Sequence, residues 1–430
     1  MEQRTFYPVG QGAFYSETHK LGDRTFTMVY DCGSSTLKKN EMVKIIENAF
    51  EENSIIDVLF ISHFHADHVN GIELLAKRCK IKLVILPLIT NEEMVLVNAI
   101  NLSVYGFDST RIFEKPEIFF GKGASFIGIL QTDEEVPGKS EHVSLSEFNE
   151  KGRERSEETD SRREGEDIKV ATLDEKITER KPSGTRFYIS NAVVQVGVTN
   201  EDLTDCWCFI PFNYRADERT EKFEDALLKC GLTIKDVATK IAKGCLGEDI
   251  KKVRKTYKAV CGGLNDGSMI LYSGKEKKDI IYTYAPSCLR NLLENEKWDF
   301  FMLLFWGEAK SGCLYLGDIN LNRDSIVADI KGKLGQYLNF VGTLQVPHHG
   351  SEHNFSADIL LPSMSHAVFS YGKNNSYKHP SVEVLRQVLD KGIFPLLVIE
   401  DSSSQVIQND SVYRCQSSCL RLAVKSVHQS

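Results

Sequence analysis

The chain has 430 residues and is 42% hydrophobic, enough apolar surface for one large or two average domains. A net charge of −8 excludes a protein that coats nucleic acid with its whole surface, while leaving a local basic groove open. No apolar run approaches the roughly 18 residues that a membrane crossing needs, and Met1-Glu2-Gln3-Arg4-Thr5 lacks the basic and apolar regions of a signal peptide, so a cytoplasmic protein is expected. The 11 cysteines are odd in number and scattered through apolar segments (Cys32, Cys79, Cys230, Cys261, Cys313), which suits reduced thiols. Cys206-Trp207-Cys208 and Cys415 with Cys419 lack a second pair at finger-like spacing and are not read as a zinc site.

Residues 5–15 read as a strand, a Gly10-Gln11-Gly12 turn and a second strand. The glycine pair is no dinucleotide loop, because neither G-x-G-x-x-G spacing nor a helix follows it. Residues 25–30 form the next strand and end at Asp31-Cys32-Gly33; taken alone, Asp31 reads as a cap for the turn before a helix at 39–50. Residues 55–61 are an apolar run of strand length. They lead into Ser62-His63-Phe64-His65-Ala66-Asp67-His68, and residues 72–77 then read as a helix. Three imidazoles and a carboxylate in six residues, at the end of a buried strand, are costly without a cation. Side chains two apart on an extended chain point the same way, so His63 and His65 can grip one ion. Asp67 and His68, where the chain turns, can face a second. Imidazole and carboxylate suit zinc, manganese or iron.

Further on, residues 80–88 read as a strand, 91–101 as a helix, and 113–130 as two short strands around Gly121-Lys122-Gly123. From about Gly138 to Pro182 the chain is crowded with Glu, Lys, Arg and Ser, too poor in large apolar residues to order itself, and reads as a mobile insertion. Strands return at 187–189, 192–196 and 207–212. Residues 216–260 are helical by pattern and rich in lysine, including Lys251, Lys252, Lys255 and Lys258. This surface is either a solvated face or one that meets phosphates. The whole reads as one domain over 1–430 with an insertion over 138–260.

Asn265-Asp266-Gly267-Ser268 turns into a strand, and residues 300–306 and 313–316 pair as a hairpin that delivers Gly317-Asp318. A strand at 344–347 precedes His348-His349-Gly350-Ser351, and one at 367–371 precedes residues 374–380 with His379-Pro380. After a helix at 382–391, residues 396–399 and 412–415 close the sheet. Strands and helices alternate in two halves, which predicts an α+β fold, an αββα sandwich of two mixed sheets with helices outside. His19, His142, His353, His366 and His428 read as loop, terminal or strand-edge residues without partners.

The H-x-H-x-D-H run at 63–68, on a strand-to-helix turn, resembles the signature of the metallo-β-lactamase-fold hydrolases. Residues 314–318 (LYLGD), 346–351 (VPHHGS) and 374–380 (NNSYKHP), preceded by 265–268 (NDGS), resemble the branch that contains the hydrolase domain of the DNA-uptake protein ComEC. The resemblance covers 1–130 and 262–405. It implies the metallo-β-lactamase fold with Asp31 beneath the site, His63, His65 and His349 on one ion, Asp67, His68 and His379 on the other, and Asp318 bridging both. Of the family's usual third imidazole, between the motif and the bridging acid, only His142 remains as a candidate, and it is a poor one. His348 then faces the substrate; which of His348 and His349 is the ligand stays open.

Two carboxylates and five neutral imidazoles leave two zinc or manganese ions net positive, fit to bind an anion. In such a site a hydroxide held between two ions attacks phosphorus, His348 stabilises or protonates the displaced oxygens, and Asp67 orients the nucleophile. The expected function is a metal-dependent phosphodiesterase, foremost a nuclease on DNA or RNA, with Lys251, Lys252, Lys255 and Lys258 meeting phosphates and a protein partner at the insertion as a further expectation. The alternatives are a hydrolase of small phosphodiesters, thioesters or lactams, and a non-catalytic interaction module on the same fold.

Overall fold

Strands buried on both faces carry apolar side chains in both phases of the alternation, and this chain does so repeatedly. In the segment Arg24–Cys32, Phe26, Met28 and Tyr30 face one way and Val29 and Cys32 the other; in Leu83–Pro87, Leu83 and Ile85 oppose Val84 and Leu86. The computed structural model describes residues 3–21, 24–89, 91–130, 142–144, 186–189, 193–196, 207–213, 217–243, 247, 249–259, 268–275, 285–286, 310–323 and 325–409.

The chain opens with β1 (Gln3–Phe6), β2 (Phe14–Leu21), β3 (Arg24–Cys32) and helix α1 (Lys39–Ala49). Next come β4 (Ile55–Ile56), β5 (Val58–Phe60), the single turn α2 (Ala66–Val69), α3 (Ile72–Arg78), β6 (Lys80–Ile81) and β7 (Leu83–Pro87). Helix α4 (Asn91–Ile100) runs directly into a π-helical turn (Asn101–Tyr105), followed by α5 (Arg111–Glu114), α6 (Pro116–Phe119) and β8 (Ser125–Leu130). The middle of the chain supplies β9 (His142–Ser144), β10 (Arg186–Ile189), β11 (Val193–Val196) and β12 (Trp207–Asn213), then α7 (Asp217–Lys229), α8 (Ile234–Ala242) and α9 (Asp249–Ala259). The last part holds β13 (Met269–Lys275), β14 (Ala285–Pro286), β15 (Gly312–Tyr315), α10 (Ile326–Leu334), β16 (Val341–Gln345), β17 (His366–Ser370), α11 (Val382–Asp390), β18 (Phe394–Val398) and β19 (Val406–Asn409).

Two mixed sheets result, in the orders β10-β8-β7-β5-β3-β2-β1-β19-β14 and β18-β17-β16-β15-β13-β12-β11-β9. Their inner faces meet in a core that includes Phe6, Tyr15, Tyr30, Phe60, Phe209, Leu271, Tyr315 and Val368. The outer face of the first sheet is covered by α1 and α3 through Met42, Ile46, Ile72 and Leu75, and that of the second by α10 and α11 through Ile326, Ile330, Val384 and Val388. The layering is αββα. In both sheets a run of parallel strands (β3-β5-β7-β8 and β15-β16-β17-β18) ends in functional loops at the carboxyl ends. Among the described residues no helix is long and apolar enough to cross a membrane.

One expectation changes. Residues 113–119 lie largely in the short helices α5 and α6, not in a strand; Phe119 and Phe120 pack inward from them, and only 125–130 extends. β15 pairs antiparallel with β13 and parallel with β16; residues 300–306 lie outside the described residues. In the first sheet β19 lies on β1, with β14 beyond it at the edge; residues 412–415 lie outside the described residues, as does most of 138–182.

His19 lies within β2 rather than in a loop, and His366 opens β17; both are buried. His19 is buried on β2 with Nε2 3.1 Å from Glu17, whose other oxygen accepts from Arg4 Nε at 2.6 Å. Tyr315 and Ser273 also donate to Glu17, at 2.8 and 2.6 Å, which makes this buried charge a fully hydrogen-bonded one. Burial holds His19 and His366 down to about 4, His19 in spite of Glu17. Both folded values lie below the ordinary 6.5, so between pH 6.5 and 4 the unfolded chain takes up protons the folded chain refuses. Stability should therefore fall as pH drops through that window, by up to about 3 kcal/mol for each imidazole. Urea denaturation between pH 7 and 4 checks this, and His366→Gln should remove that residue's share of the loss.

Candidate metal centre

The H-x-H-x-D-H segment is held in place mainly through its backbone. His65 stands at the N-cap position of α2 without capping it. The amide of Ala66 instead donates to Asn101 Oδ1 at 2.9 Å, while Asn101 Nδ2 donates to the Phe64 carbonyl at 2.7 Å. On the other side, Ala13 N donates to Asp67 O at 3.2 Å. Gly33 lies so close that an added Cβ would stand 2.6 Å from the Asp67 carbonyl. The glycine loops at 10–12 and 33 thus serve as a floor for the motif.

Asp31, at the end of β3 with φ of +54°, lies under that floor, fully buried. It accepts from Ser62 N at 2.7 Å and Ser62 Oγ at 2.6 Å, and its Oδ2 is 2.8 Å from His68 Nδ1. Because the Ser62 hydroxyl donates to Asp31, its oxygen is free to accept from His63 Nδ1 at 2.9 Å. From the second sheet, Ser268 Oγ lies 3.3 Å from the same His63 Nδ1 and accepts from Asp318 N at 3.1 Å. Gln345 fixes the loop before Asp318: its Oε1 accepts from Leu316 N and Gly317 N, both at 2.8 Å. His349 Nδ1 is 2.8 Å from the Ser370 carbonyl, which can only accept.

Three imidazoles therefore have Nδ1 engaged from behind, and their Nε2 atoms point into the cup. Those of His63, His68 and His349 are buried there and make no hydrogen bond. His68 Nε2 is 3.2 Å from Asp318 Oδ1; His63 Nε2, His349 Nε2 and His348 Nδ1 are 3.9, 4.0 and 3.5 Å from Asp318 Oδ2. His349 Nε2 is also 3.5 Å from Asp67 Oδ2. Two atoms that each sit about 2.1 Å from one ion are about 3–4 Å apart. These separations fit ligands of common ions better than partners of one another. One atom each of Asp67, His68, Asp318 and His349 falls within a mutual 4.8 Å.

The charge state agrees. Burial alone would raise the Asp318 carboxyl, but the imidazoles of His68, His349 and His348 outweigh it and hold the group well below the usual range. Burial and the neighbouring His68 and His65 keep His63 neutral, well below its ordinary value. Burial also opposes charge on His68 and His349, yet Asp318 with Asp31 and Asp318 with Asp67 raise them.

A family model described as the metallo-beta-lactamase superfamily matches residues 21–122, the span from β3 to the turn before β8. The fold is a metallo-β-lactamase fold. Members of this superfamily are metal-dependent hydrolases that bind divalent ions, often two, and the buried His/Asp cluster is a candidate site for them. Among curated proteins none matches the sequence.

Of the residues singled out by sequence, His63, His65, Asp67, His68, Asp318, His348 and His349 converge, with the rings of His63 and His65 4.8 Å apart. His349 groups with Asp67 and His68, whereas the resemblance sets it with His63 and His65. His348 is the more open of the pair, at 23% exposure against 5%. His379 stands at the rim, 5.9 Å ring to ring from His348 and outside the close group. Lys251, Lys252 and Lys255 are exposed on α9; the side chain of Lys258 lies outside the described residues. Gln345, Ser370 and Asn101 escape sequence reasoning, because a lone Ser, Gln or Asn in an apolar context carries no spacing signal, while Ser62 and Ser268 stand in the quoted motifs without a role. A polar residue inside a strand end is the only trace.

Zinc binding should release protons, because the carboxylates beside His68 and His349 raise both imidazoles above their ordinary value; calorimetry in buffers of different ionisation enthalpy measures this. Asp31→Asn should weaken metal affinity by roughly 10–100-fold, because the partner that orients His68 loses its charge; competition with a chromophoric chelator reads the change.

Proposed function

We propose that the protein is a metal-dependent phosphodiesterase acting on DNA or RNA, a nuclease of the ComEC-like branch. The observation that carries the reading is the ring of inward Nε2 atoms of His63, His68 and His349 around two buried carboxylates. His63, His65, Asp67, His68, Asp318 and His349 are the ligands on this reading, with His379 joining from the rim. Bound zinc or manganese ions supply Lewis acidity and an activated water at such a site.

The chain's own groups do the rest. Asp318, ionised, turns one oxygen to His68 and the other to His63, His348 and His349, and so ties the two halves of the cup together. Asp67, close to His349, orients the attacking water. Burial draws His348 below its usual pKa despite Asp318, so its neutral N–H serves as a donor to the phosphoryl oxygens rather than as an imidazolium acid. At the mouth, Tyr377 is 65% exposed and stacks on His379 with ring centroids 5.8 Å apart, next to Lys378. A flat aromatic face beside a cation suits a nucleotide. The lysines of α9 add a basic surface on the helices packed against α4. Free thiols at Cys32, Cys79, Cys230 and Cys313 agree with a reducing, cytoplasmic setting.

Purified protein loaded with zinc or manganese should cleave single- or double-stranded DNA or RNA and lose activity with chelator. His65→Ala and Asp318→Ala should abolish cleavage while keeping the fold; equal activity in either variant would sink the proposal. Replacing Lys251, Lys252, Lys255 and Lys258 by Glu should slow polymer cleavage and flatten its salt dependence by about one unit of slope for each phosphate no longer neutralised. A small chromogenic diester should be hydrolysed at an unchanged rate. Turnover of the small diester alone would leave a phosphodiesterase and remove the nuclease.

A further inference from the structure

We infer that Asn101 is a positioning residue of the metal centre, acting through the backbone on either side of His65; this rests on the reading of the cup as a metal site. Asn101 is fully buried and makes two short bonds, donating to the Phe64 carbonyl at 2.7 Å and accepting from the Ala66 amide at 2.9 Å. The first amides of a helix have no partner within it. In α2 the N-cap residue is His65, whose side chain makes no cap bond. Asn101 makes it instead, from 35 positions along the chain. One amide side chain therefore fixes the peptide groups before and after His65, and with them the direction in which that ring leaves the loop.

The local structure around Asn101 is built for this. It is the first residue of the π-turn that interrupts the helix after α4, a feature found often at functional sites. The turn closes with Gly106 at φ +65° and with the Phe107 amide donating to the Asn101 carbonyl at 3.1 Å. Behind it, Leu96 and Ala99 of α4 pack against Phe223, Leu227, Val237 and Val253 of α7, α8 and α9. Those helices brace the segment from which Asn101 projects. The lysine-bearing helices and the metal loop thus both meet the segment that carries Asn101.

The test compares wild type, Asn101→Ala and the milder Asn101→Ser, which keeps a hydroxyl but is too short to span both backbone groups. Zinc affinity is measured by chelator competition, folding by circular dichroism, and opening of the loop by hydrogen exchange at the Ala66 amide. The expected result is a folded variant with faster Ala66 exchange and zinc affinity weaker by roughly 10–100-fold. Zinc affinity within about twofold of wild type, with Ala66 exchange raised, overturns the inference and leaves Asn101 a mere packing residue. Should the alanine variant fail to fold, the serine variant gives the same reading. Failure of the metal-loaded wild type to cleave any phosphodiester would strike the proposed reaction instead, and leave the affinity comparison intact.

Discussion

The centre depends on one electrostatic constraint. Two buried carboxylates and a set of imidazole nitrogens face each other across 3.2–4.0 Å, away from water. Buried polar atoms left without partners cost free energy, and buried charges cost more. Protons on His68 and His349 would offset the charge of Asp67 and Asp318, but contacts of 3.2–4.0 Å are long for hydrogen bonds between charged groups. Divalent cations satisfy the same atoms and the same charges at once. Everything behind the cup, from the Asp31–His68 contact to the Ser370 carbonyl under His349, keeps those nitrogens turned inward.

Holding them there takes unusual backbone. Asp31, His348 and His349 all have positive φ, at +54°, +48° and +56°, a region that side chains with a Cβ seldom occupy. Such conformations persist only where the surroundings over-determine them. At 346–351 the surroundings are plain: a Cβ on Gly350, itself at φ +85°, would stand 2.7 Å from Pro380 and 2.8 Å from Phe369. The turn is compressed between β17 and the His379 loop, and that compression aims His348 and His349 at Asp318.

A second core sits apart from the sandwich. Phe223, Leu227, Leu232, Val237 and Val253 gather on Leu96 and Ala99, so the helices α7–α9 are packed onto α4 and not merely tethered to it. Their polar face carries Lys251, Lys252 and Lys255, with Lys252 2.9 Å from Asp249. An exposed ion pair of this kind adds little stability. The apolar contacts fix these helices, and the lysines are left to solvent or a ligand.

The local chemistry was legible in the sequence. Short apolar runs gave most strands, H-x-H-x-D-H named four of the inward groups, and the Asp and His at later strand ends named others, because side-chain direction in a strand follows from its period. Sequence also carried the Asp31 and glycine motifs, though not that Gly33 must lack a Cβ to clear Asp67. Tertiary structure alone decided the rest. It set His349 with Asp67 and His68, buried His19 in a network with Glu17 and Arg4, turned 113–119 into helix, and brought Asn101 under His65. The grouping of His349, the bonds of Glu17 to Ser273 and Tyr315, and the reach of Asn101 to Ala66 depend on contacts between residues tens to hundreds of positions apart. Such contacts have no period in the chain, and only the packing of two sheets and their helices fixes them.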